Sequence, residues 1–190
     1  MSSQLKTYFT PEEYLAIERR VEYKSEYFNG KIVGMTGASR NHNLIVANVT
    51  REITRQLKER PCELYPNDMR VRIPATQLYT YPDVAVVCGK PSFEDEYLDT
   101  LLNPILIVEV LSESTESYDR GKKFSNYRTI ESFAEYILIA QDEPRIEQYV
   151  KQPDGRWLLS DTHELDSAIE LTSIQCRLDL REVYDKVSLP

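Results

Sequence analysis

Residues 104–111 read PILIVEVL, an almost unbroken apolar run with a single carboxylate, Glu109, inside it. A short continuous apolar run is the pattern of a strand buried on both faces. It therefore commits the chain to a sheet in its interior. A charged side chain in that setting costs several kcal/mol even after relaxation, unless a cation or hydrogen bonds compensate. Three partners would resolve Glu109: a metal ion, a lysine, or a proton.

The chain has 190 residues, which points to one domain over residues 1–190. An apolar fraction of 41% supplies a core, and no stretch approaches a membrane span. The opening residues, MSSQLKT, lack the apolar segment of a secretory signal. Cys62, Cys88 and Cys176 have no metal-ligand spacing and read as reduced thiols of a cytoplasmic protein. The formal net charge of −8 argues against a protein that coats nucleic acid by charge alone. It leaves room for an enzyme that meets phosphates through a local basic patch and a divalent cation.

Thr10, Pro11 and Glu13 form a capping box with proline in the first turn, so a helix should run to about Arg20. Asn29-Gly30 between two alternating segments predicts a β-hairpin. Ile45, Val49, Ile53 and Leu57 recur at four-residue spacing and predict an amphipathic helix over residues 43–60. Strands are expected at 62–65, 69–73 and 83–88, then an acidic connection over 89–103 and the Glu109 strand. A helix over 118–130 and a buried strand over 133–140 complete a βαβ unit. A hairpin around Pro153-Asp154-Gly155, a strand near 169–174 and a short helix at 180–184 finish the chain. The expected fold class is α/β, with a central mixed sheet flanked by helices.

Asp83 opens one buried strand, and Glu109 lies in a later one. If the strands are neighbours, two carboxylates face one point, and without a cation one would be driven neutral. Mg²⁺ removes that conflict, because it takes oxygen ligands and keeps waters beside one or two carboxylates. A backbone carbonyl near Val110 could add a ligand. A lysine would complete the chemistry. Lys123 shares a helix face with Tyr127 and Ile130, whereas Lys122 aligns with Ser125, Asn126 and Thr129 on a polar face. Lys123 is therefore the inward candidate, with Asp119 one turn earlier as a possible partner.

Pro82-Asp83, Glu109 and Lys123 resemble the PD-(D/E)XK nuclease pattern, with the lysine moved from the strand to the following helix. The chain is more closely similar to the Uma-type family of bacterial restriction-endonuclease-like proteins. The resemblance rests on EYFNG at 26–30, GASRNH at 37–42, DMRVR at 68–72, YPDV at 81–84 and VEVLS at 108–112. It continues through YDRGKKF at 118–124 and EYIL at 135–138.

That resemblance implies a restriction-endonuclease-like core with a metal site at the edge of a mixed sheet. It implies Asp83 and Glu109 as ligands of Mg²⁺ or Mn²⁺ and Lys123 as the catalytic lysine. It also places Glu26 and His42 in the same cleft. From the residues alone, Glu26 could equally pair with Lys24 or Lys31, and His42 could simply start its helix. Leu111 stands where the wider pattern has its strand lysine.

The expected function is metal-dependent hydrolysis of DNA phosphodiesters by an endonuclease, with Arg70, Arg72, Arg120 and Lys122 as backbone contacts. A homodimer would suit double-strand cleavage. Two alternatives stand beside it: a non-catalytic nucleic-acid or protein-binding module, and a structural Glu109–Lys123 pair.

Overall fold

A computed structural model describes residues 8–189. The reading of the first seven residues as lacking a secretory signal lies outside the described residues. Thr10 caps α1 (Pro11–Glu18), and its reciprocal bond with Glu13 closes the capping box. The hairpin β1 (Ser25–Phe28) and β2 (Lys31–Gly34) turns at Asn29 and Gly30, both at positive φ (44° and 87°). A two-residue turn with both residues left-handed matches the twist of the flanking strands, which is why Asn-Gly is found there.

The 18-residue α2 (Arg40–Leu57) follows. It starts three residues earlier than the periodicity predicts, because the Ser39 hydroxyl accepts from the His42 amide and caps the end.

Then come β3 (Cys62–Pro66), β4 (Arg70–Ile73), β5 (Leu78–Thr80), β6 (Val84–Cys88), β7 (Thr100–Leu101) and β8 (Leu106–Val110). A helical stretch follows as α3 (Glu116–Tyr118), a π-helical turn (Asp119–Lys123) and α4 (Phe124–Tyr127). The remaining elements are β9 (Glu135–Ile139), β10 (Ile146–Lys151), β11 (Trp157–Thr162), β12 (Ala168–Leu171), β13 (Cys176–Asp179) and α5 (Leu180–Val183).

A six-stranded sheet, ordered β11-β10-β9-β8-β6-β3, forms the centre. Within it β8 and β9 are parallel and the other pairs antiparallel, so the sheet is mixed as expected. Alternation along β8 sends Val108 and Val110 to one face, where they meet Ile45, Val49 and Ile53 of α2. Ile107 and Leu111 go to the other, against Phe124, Tyr127, Ile130 and Tyr136. Glu109 shares this second face. A five-stranded sheet, β2-β1-β5-β4-β7, packs there through Val71, Ile73, Leu78 and Leu101.

Three expectations change. The single helix over 118–130 is interrupted by the π turn and ends at Tyr127. The strand near 169–174 is a hairpin, β12–β13, turning at Ser173–Ile174 with Gln175 left-handed. The cysteines are not all free: Cys62 and Cys88 form a disulfide, and Cys176 alone is a buried thiol. Antiparallel pairing of β3 with β6 sets Cys62 directly opposite Cys88. The Gly89 amide bonds the Pro61 carbonyl just outside the pair, so the cysteines occupy a non-hydrogen-bonded position, where opposed residues approach most closely.

Candidate active site

Asp83 precedes β6 by one residue, and the Val84–Val108 pairing of β6 with β8 extended by one step sets it opposite Glu109. The link is direct: the Val110 amide donates to Asp83 Oδ2 at 2.8 Å. The carboxylate thus takes the place of a ladder acceptor where the β6–β8 pairing stops. The Asp83 backbone is held as well, its carbonyl accepting from the Asn67 amide. On the other side His42 Nε2 lies 3.2 Å from Asp83 Oδ2, brought there by the first turn of α2. His42 Nδ1 is buried without a partner among the described residues.

Lys123 comes from the π turn. Its Nζ lies 2.9 Å from Glu109 Oε1, 3.3 Å from Asp119 Oδ1 and 3.8 Å from Glu26 Oε1. Glu26 reaches in from β1 and also accepts from Thr80 Oγ1 and from the Tyr118 hydroxyl. The Tyr127 hydroxyl donates to the same Glu109 oxygen that Lys123 contacts, at 3.0 Å. The site therefore lies where both large sheets and the helical stretch meet.

Its charge does not balance. Lys123 faces the carboxylates of Glu109, Asp119 and Glu26, with Asp83 alongside. Burial pushes the Glu109 carboxyl well above its usual range; the Lys123 charge opposes this, while Asp119 and Asp83 add to it. Asp119 is raised by burial in the same way, again against the Lys123 charge. For Lys123 burial would favour the neutral amine, but Glu109, Asp119 and Glu26 outweigh it and hold the ammonium above its ordinary range. Burial and the Glu109 charge likewise keep the Tyr127 phenol protonated, hence a donor.

The structure brings Asp83, Glu109 and Lys123 together, and Glu26 and His42 with them. Glu26 pairs with neither Lys24, which bonds Asp68, nor a hairpin lysine, but faces Lys123. Three of the four proposed backbone contacts are otherwise engaged. Arg70 is buried and bound to Tyr81, Thr100 and Asp99, so it cannot reach a ligand at the surface. Arg72 pairs with Glu94, and Arg120 with Glu116 and Glu147. Lys122 alone of the four is exposed. The polar role of Tyr127 was hidden in the sequence, where its spacing from Lys123 signalled only an inward face.

Residues 11–181 match the Uma2 family, described as "Putative restriction endonuclease". The chain belongs to this family. Two Synechocystis proteins, both described as uncharacterized, are similar to it over most of their lengths. Protein sll1609 is 39% identical over 163 residues, 86% of this chain and 92% of its own. Protein slr1290 is 37% identical over 175 residues, 92% of this chain and 90% of its own. A crystal structure titled a "putative nuclease belonging to DUF820", from Anabaena variabilis, superposes with a TM-score of 0.77. That comparison covers 95% of this chain and 99% of the other at 19% identity, so it shows a shared fold. No helix of this Uma2 chain is long and apolar enough, among the described residues, to cross a membrane.

A Uma2 site of this kind invites a test for a metal ion. Among the described residues, no three His, Cys, Asp or Glu side chains form a ready-made cage. The donors present suit a more open site. Asp83 and Glu109 each have one oxygen engaged, Oδ2 and Oε1, and the other without a hydrogen bond among the described residues. Two carboxylate oxygens with waters completing the shell is a normal arrangement for Mg²⁺, and the surplus of carboxylates favours a cation. Access is from the side of His42, Asp83 and Glu26, whose side chains are 14%, 16% and 17% exposed, against 4% for Glu109 and 7% for Lys123. A cleft of about 560 Å³ opens nearby at the ends of β8 and β9, but Ser39, Arg40, Ser112 and Gln141 line it rather than the three candidate residues.

Proposed function

We propose that this chain is a Mg²⁺- or Mn²⁺-dependent endonuclease that hydrolyses DNA phosphodiesters. The observation that carries the reading is the surplus of buried acid around one lysine, at the point where two adjacent strands present Asp83 and Glu109. Such a surplus has a physical use if a cation enters. Asp83 and Glu109 would hold the ion, with a backbone carbonyl near Val110 as a further ligand. When bound, a divalent ion polarises a phosphodiester and lowers the pKa of a coordinated water.

In the reaction, a water oxygen loses a proton to solvent as it forms a bond to phosphorus, the bond to the leaving sugar oxygen breaks, and that oxygen takes up a proton from solvent. The carboxylates around Lys123 favour its ammonium form, which donates hydrogen bonds. Its role in this reading is to orient the water and stabilise the charge developing on the phosphate. His42 keeps Asp83 in place through the 3.2 Å contact. With a net charge of −8, the protein depends on local cationic groups such as Lys122 and on the metal to accept a polyanion. A homodimer working in the cytoplasm would supply the two sites that cutting both strands requires.

The test is Mn²⁺ binding and DNA cleavage by the wild-type chain, Asp83→Asn and Glu109→Gln. Binding by the wild type that both substitutions abolish, with cooperative melting retained, supports the reading. Absence of binding at millimolar Mn²⁺ refutes it. The burial of the 2.9 Å Lys123–Glu109 contact favours a second reading, a purely structural pair in a domain of another function. That reading predicts loss of stability when either partner of the pair, Glu109 or Lys123, is replaced, and no metal dependence.

A further inference from the structure

Glu109 has two donors, and both converge on one oxygen. Lys123 Nζ is 2.9 Å and the Tyr127 hydroxyl 3.0 Å from Oε1. Oε2 has no such partner among the described residues. A carboxylate in a buried pocket can rotate about its last torsion, which is broad and nearly two-fold. A single lysine on a flexible stem does little to prevent this, because the ammonium can follow either oxygen. A phenol hydroxyl is different. Tyr127 is fully buried, and its ring packs against Phe133 and Tyr136 at centroid distances of 5.7 Å each. Its hydroxyl therefore marks a fixed point in the core.

We infer that Tyr127 is a positioning residue that pins Glu109 through Oε1 and so reserves Oε2 for a divalent cation. The inference rests on the metal-dependent reading above and adds to it the group that decides which oxygen is presented. The local sequence is built for this. Lys123 and Tyr127 are four residues apart, so the turn that delivers the lysine delivers the phenol beside it. Groups that orient a ligand without touching the metal commonly account for tenfold or more in metal affinity.

The structure also contains a matched control. Tyr136 is as buried as Tyr127 and belongs to the same aromatic cluster, but its hydroxyl donates to the Asp119 backbone carbonyl at 3.1 Å. Tyr127→Phe and Tyr136→Phe each remove one buried hydroxyl from the same core, and only the first releases Glu109.

The experiment titrates the full chain with Mn²⁺, reading free ion by electron paramagnetic resonance, and records thermal melts of the metal-free proteins. The samples are wild type, Tyr127→Phe, Tyr136→Phe and Glu109→Gln. The expected result is an affinity about tenfold weaker in Tyr127→Phe, unchanged in Tyr136→Phe and absent in Glu109→Gln, with cooperative melts throughout. Wild-type affinity in Tyr127→Phe, or equal weakening in both phenylalanine variants, overturns the inference and leaves the metal site standing. Loss of cooperative melting in Tyr127→Phe also overturns it, since the hydroxyl would then serve folding. A wild-type chain that takes up no Mn²⁺ refutes the underlying reading, a pattern distinct from the others.

Discussion

Two groups of buried charge lie on different faces of the five-stranded sheet and solve the same problem differently. Beneath α1, Glu18 accepts from the Ser25 amide, the Ser25 hydroxyl and the Tyr81 hydroxyl. Arg70 meets Tyr81, Thr100 and Asp99, and Arg19 closes the network by binding Asp99 and Asp95. There the bonds to Arg19, opposed by burial and helped by Arg70, hold Asp99 well below the usual carboxylate range. At the β6–β8 edge the direction reverses, and burial drives Glu109 and Asp119 upward despite Lys123. The first network is the nearer to balance, with the arginines Arg19 and Arg70 set against the carboxylates of Glu18, Asp95 and Asp99. The other is left short of positive charge. Ion pairs alone do not separate structural from functional charge; the two networks differ in how far their acids are matched by cations.

The largest effect should come from removing an acid at the unbalanced site. Asp83→Asn or Glu109→Gln is expected to reduce DNA cleavage by at least about 100-fold, measured by single-turnover nicking of a plasmid in Mn²⁺. The comparison breaks if either variant cleaves like the wild type. Next comes Arg70→Met in the first network, which removes a buried partner of Tyr81, Thr100 and Asp99. It should destabilise the fold by about 3–5 kcal/mol in urea unfolding while sparing Mn²⁺ affinity in the folded fraction.

A smaller effect follows for the stability of Glu109→Gln. The amide oxygen still accepts from Lys123 and Tyr127, and the acid surplus falls, so stability should stay within about 1 kcal/mol of wild type. A loss as large as that of Arg70→Met would mean that both networks are structural. The smallest effect concerns pH. Asp99 has a depressed folded pKa, so its contribution is present above the unfolded value of 3.8 and lost as pH falls through the lower folded value. Asp99→Asn should therefore melt below the wild type at neutral pH, and the gap between the two melting curves should narrow as pH falls through the acid range.

The unbalanced site was more legible in the sequence than the balanced one. Glu109 stood out because its strand is otherwise apolar, Asp83 because it opens another, and Lys123 because helical spacing separates it from Lys122. Arg70 gave no such signal. In Arg70-Val71-Arg72-Ile73 the arginines alternate with apolar residues, as in a strand with one solvated face. The five-stranded sheet is instead covered on both sides: the core containing Val71 and Ile73 on one, and α1 with Tyr14, Tyr27 and Tyr79 on the other. The Cys62–Cys88 bridge was equally hidden, since 26 residues separate its ends and only the β3–β6 register brings them opposite. The short strands β5 and β7 carry too few residues for a period to show.

The π turn has a consequence that no substitution would reveal. A π turn is an α-helix with one residue too many, and here the surplus falls between Asp119 and Lys123. Phe124, Tyr127 and Ile130 anchor the chain beyond it in the core. Deleting Gly121, an exposed residue with open space around it, would let the helix close into regular α geometry. The wide turn absorbs the extra residue, so the flanking turns would keep their facing, but Asp119 would stand three residues before the lysine instead of four and the pair would have to re-form at that spacing. A single-codon deletion at this solvent-facing glycine would then test how closely the site depends on the spacing of its acid and its lysine. The length of this segment is as much a part of the site as its side chains.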